Sequence, residues 1–346
     1  IYINTALLHR QLREYEMAQE YFNKILYAEG RIHPARMAVF YQYNAINQTS
    51  LGNFKFAEGY FEKVFQMREA NFPKDNFGWA LLYRTYGELL DSLGRFEEAD
   101  QYFLEAVGVT RDHSGTFNYS TANYLKSAGD HFLRAGDAEN ALKYYQESLQ
   151  SLDPGYKKKN PAVNPDPDIV QDHLFLLGLL KQKAATLEIL ARQDGGNVYL
   201  PAAFQAYRLS IQLTGQLRNS YLNDQSKLYL SENERETYED MVRCAYELYQ
   251  KSNDRYYLDE AFIAAEKAKY ATLVSVLQRS GAIEISGIPD SIKEMEASLQ
   301  KELTLKGGLL LEARTDTLVD STRVQQYRSD VFALSDRIEQ LNQEME

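Results

Sequence analysis

Apolar and small residues recur at helical spacing from Leu81 to Val107, LLYRTYGELLDSLGRFEEADQYFLEAV, with polar residues between them. The pattern predicts two helices meeting at a turn. The first carries Tyr83, Tyr86, Gly87 and Leu90. Gly94 can end it, because glycine adopts the left-handed C-terminal cap without a Cβ penalty. The second carries Ala99, Phe103 and Ala106, whose steps of four and three mark one helix face. Gly87 and Ala99 let the two helices approach closely, and Tyr83, Tyr86 and Phe103 fill the space around them.

The unit repeats. Gly52, Gly94 and Gly136 are 42 residues apart, as are Ala57, Ala99 and Ala141, and Phe61, Phe103 and Tyr145. A helix pair cannot bury its apolar face alone, so stacked copies must supply each other's core. An earlier copy in REYEMAQEYFNKIL sets Ala18, Phe22 and Ile25 against Ala57, Phe61 and Val64, with a step of 39. The expected fold is all-α, a right-handed superhelical solenoid of antiparallel helix pairs. Four pairs fill residues 1–152: one ending near Gly30, then Pro34 to Asn71, Phe77 to Asp112 and Tyr119 to Leu152.

Beyond Leu152 the regularity fades. Residues 153–168 hold Pro154, Pro161, Pro165 and Pro167, which forbid a helix and predict an exposed loop. Residues 169–280 predict longer, degenerate pairs that continue the solenoid. Their helices are Ile169 to Arg192, Pro201 to Arg218, Leu222 to Tyr249 and Leu258 to Arg279. Ala203, Tyr207 and Ser210 repeat the second-helix pattern. Ser231 with Glu234 resembles a capping box, and Asp254 and Asp259 are candidate caps. Residues 281–290 read as a linker. In 291–346, Val324, Tyr327, Val331, Leu334, Ile338, Leu341 and Met345 are separated by alternating steps of 3 and 4, a heptad seam. This segment is expected to form an antiparallel coiled-coil hairpin; an intermolecular coiled coil competes with it.

The net charge of −11 argues against direct nucleic-acid binding, which needs clustered Lys and Arg. A single cysteine, Cys244, leaves no intramolecular disulfide and no cysteine-based metal site, and its helical setting suits a small buried hydrophobe. No stretch has the apolar length of a membrane span. The chain begins at Ile1 without Met or a signal-peptide pattern, so a trimmed N-terminus and a cytoplasmic location are expected. His9, His33, His113, His131 and His173 include no pair at metal-binding helical spacing, and caps, loops and surface positions account for them. No metal, no cofactor and no catalytic residue is expected.

The repeat resembles the tetratricopeptide pattern, carried by an aromatic residue, Gly87, Gly94, Ala99, Phe103 and Ala106. Its 42-residue period resembles the longer variants of kinesin light chains and bacterial signalling proteins. A second resemblance covers Pro201 to Leu303. There Ser226-Lys227 with Leu230-Ser231, and Ala261-Phe262 through Glu266-Lys267-Ala268-Lys269, look like the segment preceding the protease domain of bacterial CHAT proteins, caspase-like proteins associated with tetratricopeptide repeats. GIPDSIKEMEASLQKEL resembles the coiled lead into that domain. The family's His/Cys protease domain is not among these residues, and Cys244 lies upstream of where it would begin, so no catalytic residue carries over. The resemblance implies a non-catalytic recognition and regulatory arm of a CHAT-type protease; a stand-alone bacterial scaffold or adaptor is the alternative.

In tetratricopeptide arrays the concave face is lined by the first helix of each pair. Counting from Ala45, Gly87 and Gly129, the candidates for binding a protein or peptide partner are Gln42, Thr49, Arg84, Glu88, Asp91, Ser92, Lys126, Asp130 and Arg134. They form a mixed-charge groove suited to an extended peptide or a helix. Arg84, Lys126 and Arg134 are the candidates to pair with a ligand's carboxylates.

Overall fold

A computed structural model of the protein describes residues 2–26, 33–73, 77–153, 155–156, 160–194, 198–220 and 234–279, with isolated positions between 295 and 337. Eight helices fill its first part: α1 (Tyr2–Gln11), α2 (Tyr15–Leu26), α3 (Pro34–Ser50), α4 (Phe54–Asn71), α5 (Gly78–Ser92), α6 (Phe96–Ser114), α7 (Tyr119–Arg134) and α8 (Ala138–Leu152). Four more follow: α9 (His173–Asp194), α10 (Tyr199–Ser220), α11 (Arg235–Ser252) and α12 (Arg255–Arg279). The fold is an all-α solenoid of helix pairs. The chain divides into one compact unit of residues 1–210 with 250–253 and a second of 211–249 with 254–346.

Within the first unit the α5–α6 and α7–α8 pairs are each locked by a glycine-to-aromatic contact. A Cβ built on Gly87 would lie 2.8 Å from the Phe103 ring, and one on Gly129 would lie 2.6 Å from the Tyr145 ring. Only glycine admits the ring at that distance. Gly52, Gly94 and Gly136 close the turns between paired helices at φ of 74°, 73° and 85°. Ala57, Phe61, Ala99, Phe103, Ala141 and Tyr145 are all buried. First helices also pack on one another, α1 on α3, α3 on α5, α5 on α7 and α7 on α9, forming a continuous inner layer. Aromatic rings glue successive pairs together: Phe65 of α4 meets Tyr86 of α5 at 5.2 Å, edge to face.

Helix boundaries move relative to expectation. α10 starts at Tyr199 rather than Pro201, and α12 at Arg255 rather than Leu258. α11 covers Arg235–Ser252, residues 222–233 of the expected Leu222–Tyr249 helix lying outside the described residues. α9 starts at His173 rather than Ile169, because Asp172 accepts the Phe175 N–H at 2.9 Å and caps the helix. Asp254, and not Asp259, caps α12, accepting the Tyr256 N–H at 3.0 Å.

The Pro-rich loop is not the exposed insertion its composition predicts. Tyr156 is buried and donates its hydroxyl to the Val163 carbonyl at 2.6 Å. Gln146 of α8 donates to the Asn160 carbonyl at 3.3 Å. Lys183 of α9 is wholly buried and donates to Val163 O at 2.9 Å and Asn164 Oδ1 at 2.8 Å. These bonds recover carbonyls that prolines leave without helical partners, so the described part of the loop packs down on α8 and α9. Burial lowers the Lys183 pKa to about 7.

In the second unit α11 buries Tyr238, Met241, Cys244 and Leu248. Ser231, the linker 281–290 and the hairpin 291–346 lie outside the described residues, apart from the isolated positions. Among these, Lys306 donates to Asp330 at 2.8 Å.

Candidate protein-binding face

The inner layer presents a polar stripe because the glycine contacts fix the rotation of each first helix. On α5, positions 84, 88, 91 and 92 follow one another at steps of four, three and one and fall on one side of the helix. On α7, Lys126 and Asp130 are part-buried and Arg134 is the more exposed, its side chain 49% accessible. Between these two helices lies an open recess of about 370 Å³, lined by Glu88, Asp91, Ser92, Phe103, Ser127, Asp130 and Arg134. Five of the nine residues expected on this face therefore meet in one place.

Its charges are mostly paired within the protein. Asp91, with a side chain only 4% exposed, accepts from Arg134 Nε at 3.0 Å and Nη2 at 2.5 Å. Its other oxygen lies 2.6 Å from His131 Nδ1, and Asp100 lies 2.6 Å from His131 Nε2. His131 is completely buried and stacks on Phe103 with centroids 4.5 Å apart. Burial by itself would lower the imidazole pKa, but the hydrogen bonds to Asp91 and Asp100 outweigh it and the pKa is raised. With a carboxylate at each nitrogen, the imidazolium donates in both directions. Lys126 donates to Asp130 Oδ2 at 2.7 Å, and the Tyr145 hydroxyl donates to Asp130 Oδ1 at 2.7 Å.

Arg84 and Glu88 are the loose pair on the face. Arg84 Nη1 stands 3.8 Å from Glu88 Oε1, beyond hydrogen-bond distance, and its guanidinium lies 5.3 Å from the Tyr124 ring centroid. The Glu88 side chain is 41% exposed along the recess yet surrounded by protein. Desolvation raises its pKa, against the attraction of Arg84 and Arg134 and, from α1, of Arg10.

The expectation fails at four positions. Gln42 is only 2% exposed and does not line the groove; it accepts from Arg68 Nη2 at 3.2 Å and donates to Thr85 at 3.5 Å. Lys126 and Arg134 are not free to take a ligand's carboxylate, because Asp130 and Asp91 already hold them. Thr49 returns its hydroxyl to the Ala45 carbonyl at 3.0 Å and lies outside the recess. The sequence reading also missed His131 and Ser127. One signal was available for the network: Asp91 precedes Arg134 by 43 residues, one period plus one, which sets an acid against a base on the next first helix.

Among the described residues no group of three or more His, Cys, Asp or Glu side chains could hold a metal ion. Among them, too, no helix is long and apolar enough to cross a membrane. No curated protein matches the chain. Solved structures similar to it include BtubC of P. vanneervenii, 15% identical over 62% of this chain and 79% of that one, with a TM-score of 0.48. A STAND protein with a tetratricopeptide repeat sensor from Pyrococcus horikoshii is 17% identical over 80% and 43%, with a TM-score of 0.47. The apo quorum sensor NprR from B. thuringiensis is 14% identical over 99% and 86%, also at 0.47. Models of the tetratricopeptide repeat match residues 1–30 and 80–153. The chain thus carries tetratricopeptide repeats, in an all-α solenoid whose helix pairs display a continuous inner face.

Proposed function

We propose that the protein is a non-catalytic interaction module that binds a peptide or protein partner along the inner face, anchored at the recess between α5 and α7. The observation carrying this is the recess itself. It sits on the repeat array's first-helix layer, and Glu88 on its wall is held to Arg84 only at 3.8 Å, too long to be a hydrogen bond, so the pair can exchange for partner contacts. Tetratricopeptide repeats favour protein interaction over catalysis. A photo-crosslinking residue placed at Ser92 should capture one partner that the same residue at Glu62, on the second-helix layer, does not. Reversing the pair with Arg84→Glu and Glu88→Lys should abolish that capture. Equal capture from both positions would overturn the proposal.

On a finer scale, the array serves as the regulatory arm of a CHAT-type protease. Support comes from the resemblance in Pro201 to Leu303 alone; Ala261 to Lys269 of it lies in α12, and Ser226 to Ser231 lies outside the described residues. A His and a Cys in caspase-like context, encoded beyond Glu346, would support it, and their absence from the parent gene would sink it. Where that domain is present, deleting residues 291–346 should uncouple partner binding from proteolysis.

A further inference from the structure

The recess between α5 and α7 presents hydrogen-bond acceptors far more than donors. Ser92 donates its hydroxyl back to the Glu88 carbonyl at 2.8 Å, and Ser127 donates to the Asn123 carbonyl at 3.1 Å. Each hydroxyl proton is thus committed to its own helix, and oxygen lone pairs remain. Glu88, Asp91 and Asp130 add carboxylate oxygens. Of the described wall residues only Arg134 is a cation, and Asp91 holds its Nε and Nη2.

The three carboxylates are not alike. Asp91 is met by Arg134 and His131, and Asp130 by Lys126 and Tyr145, all within hydrogen-bond distance. Glu88 has Arg84 at 3.8 Å and, beyond that, only the attraction of Arg134 and Arg10 at longer range. Its side chain is 41% exposed, so an incoming group can reach it. A carboxylate that has lost water without gaining a donor is the group on this wall that gains most when a donor arrives. An anion would instead meet the lone pairs of Ser92, Ser127 and the three carboxylates. Arg84, once displaced, still has the Tyr124 ring 5.3 Å from its guanidinium. The chain's net charge of −11 draws cations at long range.

We propose that the recess takes a lysine or arginine side chain of the partner, with its cationic head on Glu88 and its aliphatic stem along Phe103. The proposal rests on the inner face being the partner-binding surface, and it adds the chemistry that the partner must carry there. Lysine and arginine heads donate and never accept, which matches a wall of acceptors. Their stems pack on apolar surface while the head stays polar, and Phe103 supplies that surface. The recess opens on a continuous inner face, so a chain lying across it presents side chains rather than its own end.

The test needs no identified partner. Ser92→Cys places a thiol on the recess wall, and Cys244 is buried and does not compete. The full chain is equilibrated under mild reductant with equal amounts of disulfides ending in an alkylammonium, an alkyl group, an alkylcarboxylate, or an α-ammonium beside an amide. Mass spectrometry reads the adducts. The alkylammonium adduct should exceed the alkyl and carboxylate adducts about tenfold or more. Gln66→Cys, exposed on the second-helix layer, should show no such preference, and adding Glu88→Gln to Ser92→Cys should abolish it. Even adducts at Ser92→Cys, a carboxylate preference, or an ammonium preference that survives Glu88→Gln would overturn the proposal. A larger α-ammonium adduct would overturn it in favour of a partner's N-terminus. Photo-capture of a partner from Ser92 together with even adducts would refute the cation and leave the binding face standing; an ammonium preference without any capture would do the reverse.

Discussion

His131 and Arg68 are both cations buried in the same array of helix pairs. His131 has a carboxylate at each ring nitrogen, 2.6 Å away, and an aromatic ring stacked beneath it. Arg68 has one amide oxygen at 3.2 Å and the edge of a helix N-terminus. The first arrangement is complete without any outside molecule, so it organises the recess from below and leaves only Arg84 and Glu88 open. The second has no carboxylate against the guanidinium among the described residues. The difference separates a buried charge met by opposite charge from one met by neutral groups, a distinction no residue type makes by itself.

The most severe test of the first half removes Asp91. Asp91→Ala leaves His131 with one partner and Arg134 with none, and breaking a buried pair from one side costs about 3 kcal/mol. Urea unfolding should report that loss; a change below about 1 kcal/mol would show that the network is ornament rather than structure. The network also has a pH signature. Because the folded His131 pKa is raised above its unfolded value of 6.5, its contribution is fully present below that value and fades as pH rises through the folded one. Glu88 acts with the same sign, its raised folded pKa removing stability as pH climbs above 4.5. Lys183 acts with the opposite sign, its lowered folded pKa adding stability as pH rises above about 7. The His131 part is therefore read as the difference between the parent and His131→Gln, which should lack the decline that begins near 6.5.

A smaller effect probes the packing beneath that network. Gly87→Ala puts a Cβ 2.8 Å from Phe103, which is itself stacked on His131, and overpacking of this kind costs about 2 kcal/mol. Gly59→Ala offers the opposite sign on α4, where a Cβ meets nothing within 4 Å and the helix gains about 0.5–1 kcal/mol. Thermal midpoints of the two variants should move in opposite directions; movement of both the same way would break the register assigned to the repeat.

That register was legible in the chain because it is a local constraint. Glycine, alanine and aromatic residues at a 42-residue period record which atoms touch, and helical geometry then places 84, 88, 91 and 92 together. The partners of the charged side chains were not legible, since they depend on which residues the stacked pairs bring opposite. Gln42 has the right phase for the open face but meets Arg68, 26 residues away on the next helix, and is sealed in. Lys183 sits in a strongly helical stretch, and nothing local says that a proline-bearing loop 20 residues earlier supplies its acceptor. Arg13 shows the local kind again. With the first step shortened to 39 it falls where Gly52, Gly94 and Gly136 sit, and it adopts the same left-handed conformation at φ of 61°. Replacing it by glycine should stabilise the first pair by about 1 kcal/mol in thermal unfolding; no gain would mean that the Arg13 side chain compensates the strain.

The smallest expected change is the one that bears most on the comparison. Arg68→Met deletes a buried charge and keeps a side chain of similar length. If Arg68 were half of a structural pair, its loss would resemble that of Asp91, about 3 kcal/mol. No carboxylate is orphaned by the substitution; the acceptor left behind is Gln42 Oε1, whose amide nitrogen still bonds Thr85. Removing the desolvated cation from beside the α5 N-terminus offsets the lost hydrogen bond, so the net change in unfolding free energy should fall within about 1 kcal/mol of zero, on either side. Urea unfolding of Asp91→Ala and Arg68→Met in parallel reads the contrast directly. A loss at Arg68 as large as that at Asp91 would make both cations structural.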